Sequence, residues 1–227
     1  KRSAELSLVS KDLKINGVKK VTLSDEQFVR IYPNNQEMVL KKNRDMSFAG
    51  IINAGRTEYF GSQFYFEYDN FKINLIECDS MRLRAMNTDR NGPAQIRLGS
   101  KLEGISGNIV IDAEGNKSGR DTSFNNFPIL SVNKKSYVYY DDKSIQNGAY
   151  KREDFKFIVE PFEMDSLDNF TNAGLAFDGE FISAGIFPNV DEVLKIQEDF
   201  SLGFIRESPK GGIGIYGDKA NYENQIR

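Results

Sequence analysis

The dominant spacing of hydrophobic positions along this chain is two. In Phe64-Tyr65-Phe66-Glu67-Tyr68 the rings at 64, 66 and 68 fall on one side of an extended backbone. After Asp69-Asn70 the alternation resumes in Phe71-Lys72-Ile73-Asn74-Leu75, which predicts either one long strand with a bend or a hairpin. Further runs follow the same rule: Phe28 to Tyr32 stopped by Pro33, Glu37 to Leu40, Ile109 to Ile111, Ser136 to Tyr140, Phe155 to Val159 stopped by Pro161, and Phe200 to Phe204. Turn formers separate them at Asn16-Gly17, Asn91-Gly92-Pro93, Gly115-Asn116 and Asn147-Gly148. Many short strands without βα alternation predict an all-β class, built as elongated or sandwich-like antiparallel β units. At most one or two short helices fit. One is expected after Asn189 as cap, with Glu192 at the capping-box position and Val190, Val193 and Leu194 on one face. A second turn is expected at Ser24-Asp25-Glu26-Gln27.

The pattern echoes itself. Phe48-Ala49-Gly50, Leu102-Glu103-Gly104 and Phe177-Asp178-Gly179 each open a β-like run. FYFEYDNFKINLIECDSM (64–81) and FKFIVEPFEMDSL (155–167) each set an aromatic strand beside a second apolar one, ending in Asp-Ser. The order suggests a degenerate repeat of β units stacked along an axis. We therefore expect one continuous β-rich segment over residues 1–227, with sub-units 1–90 and 91–227. A start at Lys1-Arg2-Ser3 without methionine, and an end without a cap signal, read as a piece of a longer protein.

Composition narrows the chemistry. The 227 residues, 39% hydrophobic and 28% charged, suffice for a folded core. No apolar run approaches the roughly 18 residues of a transmembrane helix. The absence of histidine excludes a Ser-His-Asp hydrolase and a His-bound zinc enzyme, and the single cysteine, Cys78, excludes a disulfide framework and a Cys-based zinc site. Cys78 lies in an apolar run and reads as a small buried hydrophobe. Tryptophan is absent, leaving ten Tyr and seventeen Phe for any stacking role. Charge is uneven around a net −3, basic over the first 44 residues and acidic over 141–200. The basic end lacks the Arg/aromatic interleaving of nucleic-acid modules, so no nucleic-acid partner is expected.

Several local motifs invite a chemical reading. Gly212-Ile213-Gly214-Ile215-Tyr216-Gly217 contains a letter-perfect G-x-G-x-x-G, yet a dinucleotide loop needs a preceding βαβ context and a following helix, and only ten residues follow Gly217. Neither is it a Walker loop, since Asp218 precedes Lys219 and Ala220 stands where magnesium needs Ser or Thr. A glycine-rich strand or hairpin is expected instead, and no cofactor. Asp112, Glu114 and Asn116 offer oxygen ligands at alternate positions as a calcium loop does, although Lys117 occupies the turn-glycine position; an acidic turn is the competing reading. Glu153-Asp154, Glu160, Glu163 and Glu198-Asp199 supply carboxylates for a glycosidase without pairing any two. Ser183 lacks the preceding glycine of a nucleophile elbow.

Asp79-Ser80-Met81 and Asp165-Ser166-Leu167 resemble the Asp-Ser/Thr-apolar acceptor of general O-glycosylation in some Gram-negative envelopes, which would modify Ser80 and Ser166. The same residues read as the turn that ends a strand pair. Asn116-Lys117-Ser118 and Asn169-Phe170-Thr171 fit the N-glycosylation sequon, relevant only in a eukaryotic secretory pathway.

The glycine-punctuated strands FAGIINAG and FGSQFYFEYDNFKINLIECDSM resemble the repeated β units of AsmA-like and TamB-like bacterial envelope proteins over residues 46–112 and 150–205. The resemblance implies a curled sheet in the periplasm or cell surface of a bacterium, with neighbouring β units of the parent as partners and a groove offered to lipid. It carries over no catalytic residue. Charges at Glu67, Asp69, Lys72, Lys156 and Glu180 depart from a lipid-facing pattern. The expectation is a non-catalytic structural or binding segment; the alternative is a surface module that binds or processes glycans through Tyr/Phe and Asp/Glu.

Overall fold

A computed structural model describes residues 3–87, 89, 92–143 and 145–226. The chain is all-β: the strand pairs are antiparallel, and helix among the described residues is confined to 3-10 turns at Asn34–Gln36, Gln146–Gly148 and Asn172–Gly174. It divides into two compact units that interleave in sequence. The first takes the chain up to Leu83, Glu103–Lys134 and Pro161–Phe170; the second takes Arg84–Leu102, Lys135–Glu160 and the chain from Thr171 onward.

The first unit is centred on the meander Met46–Ala54, Thr57–Glu67 and Lys72–Met86, registered so that Phe48 faces Phe64 and Phe64 faces Leu75. The run through Asp69-Asn70 is thus a hairpin, closed by the Phe71 N–H donating to the Tyr68 carbonyl at 3.3 Å. On its far edge Met46–Ala54 pairs with Val29–Pro33 and Glu37–Leu40, while Leu102–Val110 joins Lys72–Met86 and passes pairing on to Ile129–Val132 and Phe162–Met164. The alternate apolar positions close the core: Ile31, Ile52, Tyr59, Phe64, Phe66, Ile73, Leu75, Met81, Ile109 and Leu130 are all buried. Each such side chain contributes about 1.5–3 kcal/mol on leaving water.

The alternation slips along Lys72–Met86, where buried residues fall at 73 and 75, then 78, then 81, 83 and 85. Register shifts around Gly61 and Gln63 explain it, since Ser62, Ile76 and Asp79 have no residue opposite and act as bulges. Gly61 is required there, because a Cβ would stand 2.3 Å from the Glu77 carbonyl oxygen and 2.6 Å from the Phe64 ring. One expectation is corrected by this strand. Asp79-Ser80-Met81 is not a turn; Ser80 pairs with Phe60 and Met81 with buried Tyr59, because a bulge absorbs the polar pair without ending the ladder. Asp165-Ser166-Leu167 does follow the strand Phe162–Met164 and lead into a turn, with Ser166 at φ +49.

Arg56 pins that second turn to the tip of the central hairpin. Only 4% exposed, it donates from its backbone N–H to the Leu167 carbonyl at 2.7 Å and from its guanidinium to the Asp168 and Phe170 carbonyls. Its guanidinium carbon stands 3.9 Å from the Phe170 ring centroid. Burial pushes the Arg56 guanidinium down and the Asp168 carboxyl up, each against the attraction of the other.

In the second unit Ser136–Tyr139, Phe155–Val159, Ala176–Ser183, Val190–Ile196 and Leu202–Gly203 pair in that order. Val138, Phe157, Phe181 and Val190 lie across from one another in successive strands and are buried together. The helix expected after Asn189 is therefore a strand. Its apolar spacing fits either period over so short a stretch, and the Ala176–Ser183 backbone offers a ladder that β-branched Val190 and Val193 favour. At Ser24–Gln27 the expected turn is present but not helical, the Gln27 N–H donating to the Ser24 hydroxyl at 3.1 Å.

The glycine fingerprint is a hairpin. Ile213–Ile215 pairs with Ala220–Tyr222 through a turn in which Tyr216, Gly217 and Asp218 all have positive φ, and no helix follows. The echoed segments do not share a topology: Phe64–Leu75 folds back on itself, whereas Phe155–Val159 and Phe162–Met164 pair with different strands in different units. Local likeness persists only in the buried apolar residue two positions before each echoed glycine, at Phe48, Leu102 and Phe177. Of the expected turns, Asn147-Gly148 lies in a 3-10 turn, and Asn91 lies outside the described residues.

Candidate functional site

The sequence-selected oxygen donors do not form one site. Asp112 is only 1% exposed, and its carboxylate accepts from the Asn116 amide at 3.1 Å, the Ala113 N–H at 2.7 Å and the Gln27 amide at 3.4 Å. Asn116 spends its carbonyl oxygen on the Asp121 N–H at 3.0 Å, while Glu114 is exposed. Asp112 and Asn116 thus close the loop through amide donors, which compete with a cation for the Asp112 lone pairs, and Glu114 takes no part. Among the described residues no three His, Cys, Asp or Glu side chains are grouped to hold a metal.

Ser80 and Ser166 are each half-buried, and the Ser166 hydroxyl donates to the Asn125 carbonyl at 3.3 Å. Burial pushes the Cys78 thiol up to about 12, the charge of Asp79 adding to the effect, so at neutral pH it is neither nucleophile nor metal ligand.

The carboxylates named for glycosidase work are dispersed over two units. Glu163 accepts from Ser131 at 3.1 Å in the first, and Glu160 pairs with Lys135 at 2.6 Å in the second. Glu160 also borders an acidic surface with Asp178, Glu180, Asp191 and Glu192. Glu180 lies directly opposite Asp191 across the strand pair, a repulsive placement eased by Asn189 donating to Glu180 at 3.1 Å and by Arg206 beside Glu192 at 2.9 Å. A smaller hollow of about 200 Å³ in the first unit is bordered by Glu26, Asp121 and Asp168. Ser123 holds the Asp121 carboxyl below its usual range through its hydroxyl and N–H.

The second unit contains a cleft of about 660 Å³, within the usual range for a small-ligand site. Its floor comes from adjacent strands: Phe155 opens Phe155–Val159 and Phe181 projects from Ala176–Ser183. Tyr140 follows the strand Ser136–Tyr139, Tyr150 follows the 3-10 turn at Gln146–Gly148, and Ile145, Leu202, Phe204 and Ile205 complete the apolar lining. Tyr140, Phe155 and Phe181 stand mutually perpendicular, at 84°, 88° and 87°, with centroids 5.7, 6.3 and 5.3 Å apart. Tyr150 stacks on Phe155 at 4.0 Å. Burial pushes the Tyr140 hydroxyl pKa up, so it stays protonated.

The rim is polar and carries charge of one sign. A tight turn, closed by the Gln197 N–H donating to the Ser201 carbonyl at 2.9 Å and the Phe200 N–H to the Gln197 carbonyl at 3.0 Å, presents Gln197, Glu198, Asp199 and Ser201. Asp199 accepts from the Ser201 hydroxyl at 2.6 Å and its N–H at 2.9 Å, which hold its carboxyl below the usual range and ionised. Gln146 faces the cleft from a loop with φ +45, and no Lys or Arg is among the described residues that line it.

Sequence reasoning placed Glu198 and Asp199 among its carboxylates but did not join them to Tyr140, Tyr150, Phe155 and Phe181. The available signal was the aromatic density from Tyr137 to Phe155; what brings it to Phe181 is strand pairing more than twenty residues away in sequence. No family model, no curated protein and no solved structure matches the chain.

Proposed function

We propose that the chain is a non-catalytic, β-rich binding segment whose ligand occupies the aromatic cleft of the second unit. The carrying observation is the composition of that cleft: five aromatic rings over a floor of strands, with amides and carboxylates confined to the rim. Rings give a large contact area, and the rim fixes orientation. At the rim the Ser201 hydroxyl and N–H hold the Asp199 carboxyl below its usual range, which suits recognition and not proton donation. Placement in a bacterial envelope, beside further β units of a parent protein, rests on the strand texture of residues 46–112 and 150–205.

A ligand that carries polar groups is favoured over a bare acyl chain by the ring-and-carboxylate mixture, since an acyl chain gains nothing from Gln146, Gln197, Glu198 and Asp199 around its path. The test is a titration of isotope-labelled protein with neutral oligosaccharides and with a short-chain phosphatidylcholine, followed by NMR. Shifts should cluster at Tyr140, Tyr150, Phe155, Phe181 and Phe204, with the added compound recovered unchanged. Conversion of the compound, or shifts that avoid the cleft, would sink the reading.

A further inference from the structure

Resting on that cleft as the binding site, we propose that it selects an organic ammonium, a cation whose charge is spread over alkyl groups, through ring faces below and the Glu198 and Asp199 carboxylates at the rim.

The geometry of the rings supplies the first argument. An aromatic ring is negative on its face and positive at its edge. Three mutually perpendicular rings cannot all turn their edges in one direction, because no direction lies in three mutually perpendicular planes at once. With Tyr140, Phe155 and Phe181 at 84°, 88° and 87° to one another, within 6° of that condition, at least one of the three turns part of its electron-rich face toward any direction of approach. A cation within about 6 Å of a ring centroid is attracted by that face, most strongly where water is excluded.

The charge around the rings supplies the second. Glu198 and Asp199 lie beside the aromatic floor, and no described lining residue is a cation. Asp199 cannot shed its charge near neutral pH, because Ser201 stabilises the carboxylate. A phosphate, a nucleotide or a free fatty acid would meet repulsion with no compensating donor of positive charge. A compact, strongly hydrated ammonium would lose too much water to sit on rings, whereas an alkylated ammonium is weakly hydrated and fits both features. The same headgroup chemistry occurs free, as in choline, and on a zwitterionic lipid.

The experiment compares four probes by NMR titration of the full chain: choline, its neutral isostere 3,3-dimethylbutan-1-ol, dihexanoylphosphatidylcholine and maltose. Choline should bind at the cleft at least tenfold more tightly than the neutral isostere. Glu198→Gln, an exposed position outside the packed rings, should weaken choline several-fold, and Glu198→Lys should abolish its binding while leaving the spectrum of the free protein folded. If the lipid binds as choline does, the headgroup is the recognised element; if choline alone binds, the ligand is a free ammonium. Equal binding of choline and its isostere, or binding of maltose alone, overturns the ammonium proposal and leaves the cleft as a binding site for neutral ligands. Failure of all four to shift cleft resonances overturns both readings.

Discussion

Asp45 shows how a single polar residue organises this fold. Buried between two strands of the first unit, it accepts from the Tyr68 N–H at 2.8 Å, the Tyr65 hydroxyl at 2.7 Å and the Asn43 amide at 2.6 Å. Burial pushes its carboxyl up, but these donors and the charge of Arg44 outweigh it and hold the carboxyl below its usual range. A folded-state pKa below the unfolded one stabilises fully above the unfolded value, about 3.9, and the benefit is lost as pH falls through the folded value. Asp45→Asn should therefore cost about 1–3 kcal/mol at neutral pH, because an NH2 group now faces a donor. Urea unfolding should show the gap from wild type narrowing as pH is lowered from about 5 to about 2. A gap that stays constant would remove charge as its source. Little of this was legible beforehand: Asp45 sits in a basic stretch of the sequence, and only strand pairing brings Tyr65 and Tyr68 to it.

At the scale of elements, strand existence was legible in short, largely apolar runs bounded by polar or turn residues, as at Glu37–Leu40 and Phe155–Val159, which the structure places at the expected residues. It failed where one short apolar set satisfies two periods, as at Val190–Leu194, and where bulges shift the phase, as at Asp79-Ser80. Glycines mark places where two strands approach closely. A Cβ on Gly179 would stand 2.0 Å from the Ile158 carbonyl oxygen and 2.4 Å from the Phe157 ring, while one on Gly185, at φ +74, would meet nothing within 4 Å. Gly179→Ala should destabilise by about 3 kcal/mol through overpacking between paired strands. Gly185→Ala should cost about 1 kcal/mol, the strain of a left-handed backbone alone. Thermal melts of the two variants check the order; equal losses would mean that the sheet relaxes around Gly179.

At the scale of the molecule, the two units are built from interleaved pieces, so a single cut cannot separate them. Residues 1–90 contain the central meander but lack the Leu102–Val110 strand that pairs with Lys72–Met86, and the buried side chains Ile109, Leu130 and Leu167. A piece ending at residue 90 would expose a long strand edge and part of the core. Produced separately, 1–90 and 91–227 should each give collapsed amide spectra or aggregate, whereas the whole chain gives dispersed β signals. A dispersed spectrum from 1–90 alone would show that the meander suffices.

By itself the sequence determined the all-β class of the protein. Period-two alternation, frequent turn residues and the lack of histidine act through local geometry and elementary chemistry, which neighbouring residues suffice to express. Only the tertiary structure decided which strands pair, where the bulges fall, and that Tyr140, Tyr150, Phe155 and Phe181 share a cleft with Glu198 and Asp199. Antiparallel pairing joins residues far apart in the chain, and its register follows from the burial of whole faces at once, a property no short stretch contains.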